Sequence, residues 1–138
     1  MYLIDTNIIS EIRKNSKANS GVINFFKLLD EKEMKAFLSV ITIGELRRGV
    51  GLVRHRGDKK QASLLEKWLK KILEEYKDRI LDFTANEAQV WGRLCVPQHH
   101  NTLDKQIAAI ALTYDLVLVT RNVKDFSSTG VQLLNPFN

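Results

Sequence analysis

At 138 residues the chain fits one domain and is long enough to bury a core without disulfides or a structural metal. Its composition, 44% hydrophobic and 27% charged, excludes a disordered or low-complexity protein. No apolar run approaches a membrane span and no cationic leader precedes Tyr2, so an intracellular, cytoplasmic protein is expected.

The net charge of +5 is unevenly spread. Between Arg47 and Arg79 there are eleven Lys or Arg against five Asp or Glu, a surplus of six. Such a surface suits a phosphate backbone through counterion release, unless Glu66, Glu74 and Glu75 screen the lysines on one solvated face.

In chain order, Tyr2 to Asp5 reads as a strand that turns at once into a short helix through Ile8, Ile9 and Ile12. Ser20 is the expected cap of a second helix carrying Val22, Ile23, Phe26 and Leu29 at helical spacing. Ala36 to Val40 is a short apolar strand, and Thr42 starts a third helix with Leu46, Val50 and Val53 on one face. After a polar break at His55 to Lys60 comes a long helix ending near Tyr76, whose stripe is Leu64, Leu65, Trp68, Leu69, Ile72 and Leu73. Arg79 to Phe83 reads as a strand. Thr84-Ala85-Asn86-Glu87 matches a capping box before a helix that Pro97 ends. Thr102 caps the next helix, Leu116 to Thr120 is a buried parallel strand, and Val131 to Leu134 a last one. Strands alternating with helices give an α/β fold, a parallel central sheet flanked by helices and helix-rich, with residues 1–138 forming one domain.

Cys95 is alone. With His99 and His100 it falls short of the usual zinc donor set, so a small buried thiol is the simpler reading.

Four carboxylates stand apart from the lysine-rich faces: Asp5, Glu45, Asp104 and Asp125. Each follows a strand or opens a helix, and in a parallel sheet the strand carboxyl ends face one crevice. Gathered there, they repel one another unless a hard cation such as Mg²⁺ neutralises them. Each also has a structural explanation alone. Asp5 can cap the first helix, Asp104 complements a helix dipole, Asp125 can start a turn, and Glu45 fits a Thr42-x-x-Glu45 capping box. Their joint placement favours chemistry.

The segments Met1-Tyr2-Leu3-Ile4-Asp5-Thr6-Asn7, Ser39 to Gly49, Leu103 to Ala111, Leu118 to Phe126 and Thr129 to Phe137 together resemble the PIN-domain ribonucleases. Within these, the chain is similar to the VapC-type and FitB-like toxins of bacterial toxin–antitoxin pairs. The resemblance implies that Asp5, Glu45, Asp104 and Asp125 are the acidic quartet that holds Mg²⁺ or Mn²⁺, and that Thr6, Thr120 and Asn122 line the same pocket. Lys105, beside the third acid, departs from the pattern.

The expected reaction is hydrolysis of an RNA phosphodiester, transfer RNA being one candidate target, by a metal-activated water. Asp5 and Asp104 are the expected main ligands, with Glu45 and Asp125 completing the cage or holding its waters. Arg47 and Arg48 open the basic stretch expected to follow the RNA backbone, and Thr120 and Asn122 would orient water or phosphate.

The resemblance also implies a cognate antitoxin, and through it operator DNA. One alternative is therefore a repressor component with little nuclease activity of its own. A phosphatase or flap nuclease is another, disfavoured by the absence of an Asp-x-Asp motif and by size. Phe25, Phe26, Leu28, Leu29, Leu46, Val50, Leu52 and Val53 exceed what one small sheet can cover, and a homodimer is expected from them and from the related toxins.

Overall fold

Short runs of β-branched and apolar residues pair into one sheet buried on both faces. The computed structural model describes residues 1–138. Five strands, β1 (Tyr2–Ile4), β2 (Ala36–Ser39), β3 (Ile80–Leu81), β4 (Val117–Val119) and β5 (Leu133–Leu134), lie in the order β3-β2-β1-β4-β5. All pairings are parallel; β1 is central, with Tyr2 opposite both Ala36 and Val117. The helices are α1 (Thr6–Ile12), α2 (Ser20–Glu31), α3 (Val40–His55), α4 (Lys59–Glu75), α5 (Ala85–Leu94), α6 (Thr102–Thr113) and α7 (Val123–Phe126). No helix is long and apolar enough to cross a membrane.

Strand alternation divides the core in two. Ile4 and Val119 face a cluster with Ile8, Val22, Leu46, Val50, Leu69 and Ile72, while Leu3 and Leu118 face Ile107, Ile110, Phe126 and Val131. Successive strand residues point to opposite faces, so each strand serves both layers. Full burial of each large aliphatic side chain stabilises by roughly 1.5–3 kcal/mol relative to exposure.

All five expected strands are present, but several helix starts differ. Asn19, not Ser20, caps α2, its Oδ1 accepting from the Gly21 and Val22 amides. Helix α3 starts at Val40, where the strand was expected to continue, because Ser39 Oγ accepts from Thr42 N at 3.0 Å. Asn101 in the left-handed region, not Thr102, precedes α6. At α5 the hydroxyl of Thr84 donates to Glu87 Oε2 at 2.6 Å instead of capping the helix amides.

Much of the apolar surplus expected at a dimer interface lies inside the monomer. Leu29, Leu46 and Val50 are buried in one cluster with Leu69 and Ile72 of α4, and Phe25 and Phe26 pack against it. Leu28 and Leu52 remain exposed.

Beside α2 the C-terminal tail comes so close that a Cβ on Gly21 would collide with the carbonyl oxygen of Pro136. Backbone cannot yield as a side-chain tip does, so Gly21→Ala is expected to cost about 1–3 kcal/mol. A lower urea midpoint at unchanged slope would register it.

Candidate active site

Because the chain leaves β1 for β2 on one side and places β4 on the other, the strand order reverses beside β1. Crevices form at such switch points, outside the carboxyl ends of the strands. Asp5 stands there. Its amide donates to Val119 O at 2.9 Å, which holds the ends of β1 and β4 together, and its side chain caps α1.

Asp5 is only 4% exposed, and three donors surround its carboxylate. Thr6 N donates to Oδ1 at 2.8 Å, while Thr120 Oγ1 and Asn7 Nδ2 donate to Oδ2 at 2.7 and 3.2 Å. A carboxylate offers about four lone-pair positions, so one remains, on Oδ1. Burial raises the Asp5 pKa above the ordinary carboxylate value, the Thr120 and Thr6 bonds oppose it, and the charge of Glu45 adds to it.

Glu45 comes from the second turn of α3. With Ser39 as the cap, it has no capping box to serve. Its Oε1 instead accepts from Thr6 Oγ1 at 2.7 Å. Thr42 Oγ1 lies 3.1 Å from that same hydroxyl and 3.3 Å from Ser39 Oγ. A hydroxyl has one proton; since Thr6 gives its proton to Glu45, its oxygen can only accept from Thr42. The chain of donors therefore runs from Ser39 through Thr42 and Thr6 to Glu45, joining the ends of β1 and β2.

Asp104 lies in the first turn of α6 and Asp125 in α7; neither carboxylate accepts a hydrogen bond from the protein. The pKa of Asp104 is pushed up to about 6, by burial first and then by the negative charges of Asp5, Asp125 and Glu45. The four acids of the sequence thus share one electrostatic field. A cleft of about 370 Å³ lined by Glu45, Asn101, Thr102, Leu103 and Asp104 opens onto it.

This donor set suits a hard cation. Every candidate ligand is oxygen, Asp104 and Asp125 have free lone pairs, and the mutual repulsion felt by Asp104 is what a divalent charge would relieve. No three His, Cys, Asp or Glu side chains are drawn close enough to hold an ion by themselves.

Other expected site residues fall differently. Thr120 is fully buried; its hydroxyl donates to Asp5 and accepts from Asn122 N and Asn7 Nδ2. Thr6 is likewise committed to Glu45. Both hold carboxylates in place and do not present free hydroxyls to a ligand. Asn122 is exposed, and its side chain makes no capping bond.

Arg47 pairs with Glu66 of α4 at 2.7 Å, joined more distantly by Arg54 at 3.8 Å. The pair is exposed and solvent-screened, so it adds little to stability, but it occupies the Arg47 guanidinium. Arg48 is exposed and in no ion pair. Glu66 is therefore the screen that the sequence raised as the alternative to a free basic face.

Lys105 is buried and points away from the acids, its Nζ donating to Gln98 O at 2.8 Å. Adjacent helix positions diverge by about 100°, so sequence proximity to Asp104 brings no contact. Lys105 instead ties the α5–α6 loop to α6. In that loop His99 stacks edge-on against Trp91, 5.9 Å between ring centres. Half-buried Cys95 stays free, and no metal group forms with His99 and His100.

Sequence reasoning missed Asn7, Ser39 and Thr42 as members of the site. Asn7 was visible in the Asp5-Thr6-Asn7 run. Its Nδ2 reaches Asp5 and its Oδ1 accepts the Arg121 amide at 3.1 Å, so one side chain bridges β1 and β4.

The family model for the PIN domain matches residues 2–131. Over 143 aligned residues the chain is 32% identical to plasmid stability protein StbB of Pseudomonas syringae pv. tomato, covering 99% of both. It is also 32% identical to toxin FitB of Neisseria gonorrhoeae, covering 100% of this chain and 99% of FitB. To VapC ribonuclease Y4jK of Sinorhizobium fredii it is 25% identical, covering 99% and 98%. Among solved structures, FitAcB from Neisseria gonorrhoeae superposes with a TM-score of 0.84 at 31% identity, covering 99% of this chain and 98% of that one. FitAB bound to an IR36 DNA fragment gives 0.85 at 28% identity, covering 100% and 96%. The sheet order, the acidic crevice and these matches over nearly the whole chain agree: the chain belongs to the PIN-domain family.

Proposed function

We propose that this chain is a divalent-metal-dependent endoribonuclease, the toxin of a toxin–antitoxin pair acting in the cytoplasm. The observation that carries the reading is the shared field of Asp5, Glu45, Asp104 and Asp125 at the switch point of the sheet. Support comes from the relatives called a toxin and a VapC ribonuclease.

Asp104 and the free lone pair of Asp5 would hold Mg²⁺ or Mn²⁺, with Asp125 and Glu45 receiving its waters. When bound, the cation supplies an acidified water as nucleophile and a counter-charge for the phosphate. The chain's own residues prepare that event. Thr120, Asn7 and the Thr6 amide fix the Asp5 carboxylate, and the hydroxyl chain from Ser39 fixes Glu45. Carboxylates anchored by such donors keep their geometry as charge moves past them. Asn122 and Arg48, free of other partners, are the groups offered to RNA.

An antitoxin partner and, through it, operator DNA are part of the same reading, supported by the DNA-bound FitAB assembly. So is a homodimer, for which Leu28 and Leu52 are the exposed apolar residues remaining. Sedimentation would then give twice the 15.8 kDa chain mass.

Purified, antitoxin-free protein should cleave an oligoribonucleotide with magnesium present, and spare single-stranded DNA and a phosphomonoester. A repressor component without nuclease activity would cleave none of them. Glu45→Gln is expected to cut turnover about 10- to 100-fold and to move the melting temperature little, because glutamine still accepts from Thr6. Near-normal turnover would reduce Glu45 to a structural residue.

A further inference from the structure

Next to the acids lies a second recess. Between α1, α3 and α4, with Thr6, Arg13, Glu45, Gly49 and Trp68 among its lining, it offers about 240 Å³. Water takes about 30 Å³ per molecule in the liquid, so the space equals about eight waters and suits one planar ring system. Thr6 and Glu45 line it on one side and belong to the acidic site on the other. A ligand whose charged group sits at the acids therefore reaches the recess directly.

Its lining is specific in kind. Four aliphatic side chains of α3 and α4 form one part of the wall and Trp68 adds an indole. The Arg13 guanidinium lies 5.9 Å from that ring's centre. Arg13 makes no ion pair within the protein. Unpaired nucleobases stack on indole and guanidinium planes of this kind, and the acidic site beside the recess would place a nucleotide's phosphate next to it.

Gly49 supplies an independent observation. Within a helix, glycine costs about 1 kcal/mol relative to alanine. Gly44 and Gly51 of the same helix are exposed, but Gly49 is half-buried in the recess, and a Cβ there would meet nothing within 4 Å. The recess is thus deeper by the absence of a side chain that packing would have allowed.

We propose that this recess is a nucleobase subsite, receiving the unstacked base of a ribonucleotide adjoining the scissile phosphate. The proposal rests on the ribonuclease reading above and adds to it how a single strand is gripped. Arg13 and Trp68 are binding residues here, and Gly49 sets the depth.

Gly49→Leu tests this without removing any core group, and the helix should tolerate the change because leucine is the better helix former. The substrate is an oligoribonucleotide with its cleaved linkage mapped, together with versions carrying one abasic ribose on either side of that linkage. In the unaltered protein one abasic position should lower kcat/KM about 10- to 100-fold. Gly49→Leu should show the same loss on the intact strand and no further loss at that abasic position.

Binding gives a readout separate from cleavage. The Trp68 indole N–H signal should shift with a nucleoside 5′-monophosphate, should not shift with ribose 5-phosphate, and should stay still in Gly49→Leu. Equal shifts with ribose 5-phosphate, no shift with either, or wild-type kcat/KM in Gly49→Leu would each overturn the subsite. A variant that cleaves normally but no longer binds its protein partner would assign the recess to a protein segment instead. If the unaltered protein cleaves no RNA while the indole still discriminates base from ribose, the hydrolytic reading fails and the subsite stands.

Discussion

Asp5→Asn should reduce RNA cleavage at least about 100-fold at every magnesium concentration. Three donors converge on this carboxylate. An amide in its place must turn either its oxygen or its NH₂ toward Oδ2's two donors, which forces donor against donor on one side. The geometry that leaves one lone pair for a cation is then lost along with the negative charge. Two terms oppose in stability: removing a buried charge stabilises, and leaving a buried donor unpaired costs about 1–3 kcal/mol. A melting temperature close to that of the unaltered protein is therefore expected, so that lost activity cannot be assigned to unfolding. Full turnover with normal magnesium dependence would remove Asp5 from the site.

Asp104→Asn should also abolish cleavage, and in the absence of metal it should make the protein more stable. The sign follows from the raised pKa. A carboxyl that titrates at about 6 when folded and near 3.8 when unfolded binds its proton more tightly in the folded state. Folding stability is then lost as pH rises from about 4 to 6, and the penalty is complete above that window. The full shift corresponds to about 3 kcal/mol. Because Asp104 is half-exposed, solvent screening reduces this to about 1 kcal/mol, or roughly 3–5 °C in melting temperature. The gain from Asp104→Asn should be present at pH 7.5 and vanish near pH 4. Magnesium should stabilise the unaltered protein and not the variant, by mass action. A melting temperature for Asp104→Asn that is lower at pH 7.5, or an equal gain at pH 4, would show that burial and the neighbouring charges do not disfavour the Asp104 carboxylate.

Much of the fold can be read from residues alone, for a physical reason. Strands of a parallel sheet are buried on both faces, so Leu3-Ile4, Phe37-Leu38 and Leu116 to Val119 appear as uninterrupted apolar runs. Helix starts were harder. Val40 to Ile43 is apolar and β-branched and looks like continued strand, yet Ser39 turns the chain one residue earlier. Asn19 and Ser20, or Asn101 and Thr102, are neighbours equally able to cap, and only backbone angles choose between them.

The carboxylates were visible because each sits at a strand end or helix start. What surrounds them was not, because Thr6, Thr42 and Thr120 acquire their roles from partners 36 to 115 residues away. Lys105 misled for the opposite reason: adjacent to Asp104 in sequence, it faces the other side of its helix. Arg47 lost its expected freedom to Glu66, whose position on the facing turn of α4 depends on how two helices pack.

The acidic crevice should hydrolyse RNA only with a bound cation. The most direct measurement is the cleavage rate of an end-labelled oligoribonucleotide by antitoxin-free protein as Mg²⁺ or Mn²⁺ is titrated from zero in chelator, with Asp104→Asn run alongside. A saturable rise from no cleavage, absent in Asp104→Asn, is the predicted result. Cleavage that persists undiminished in chelator, or an Asp104→Asn protein that cleaves at the unaltered rate, would contradict it.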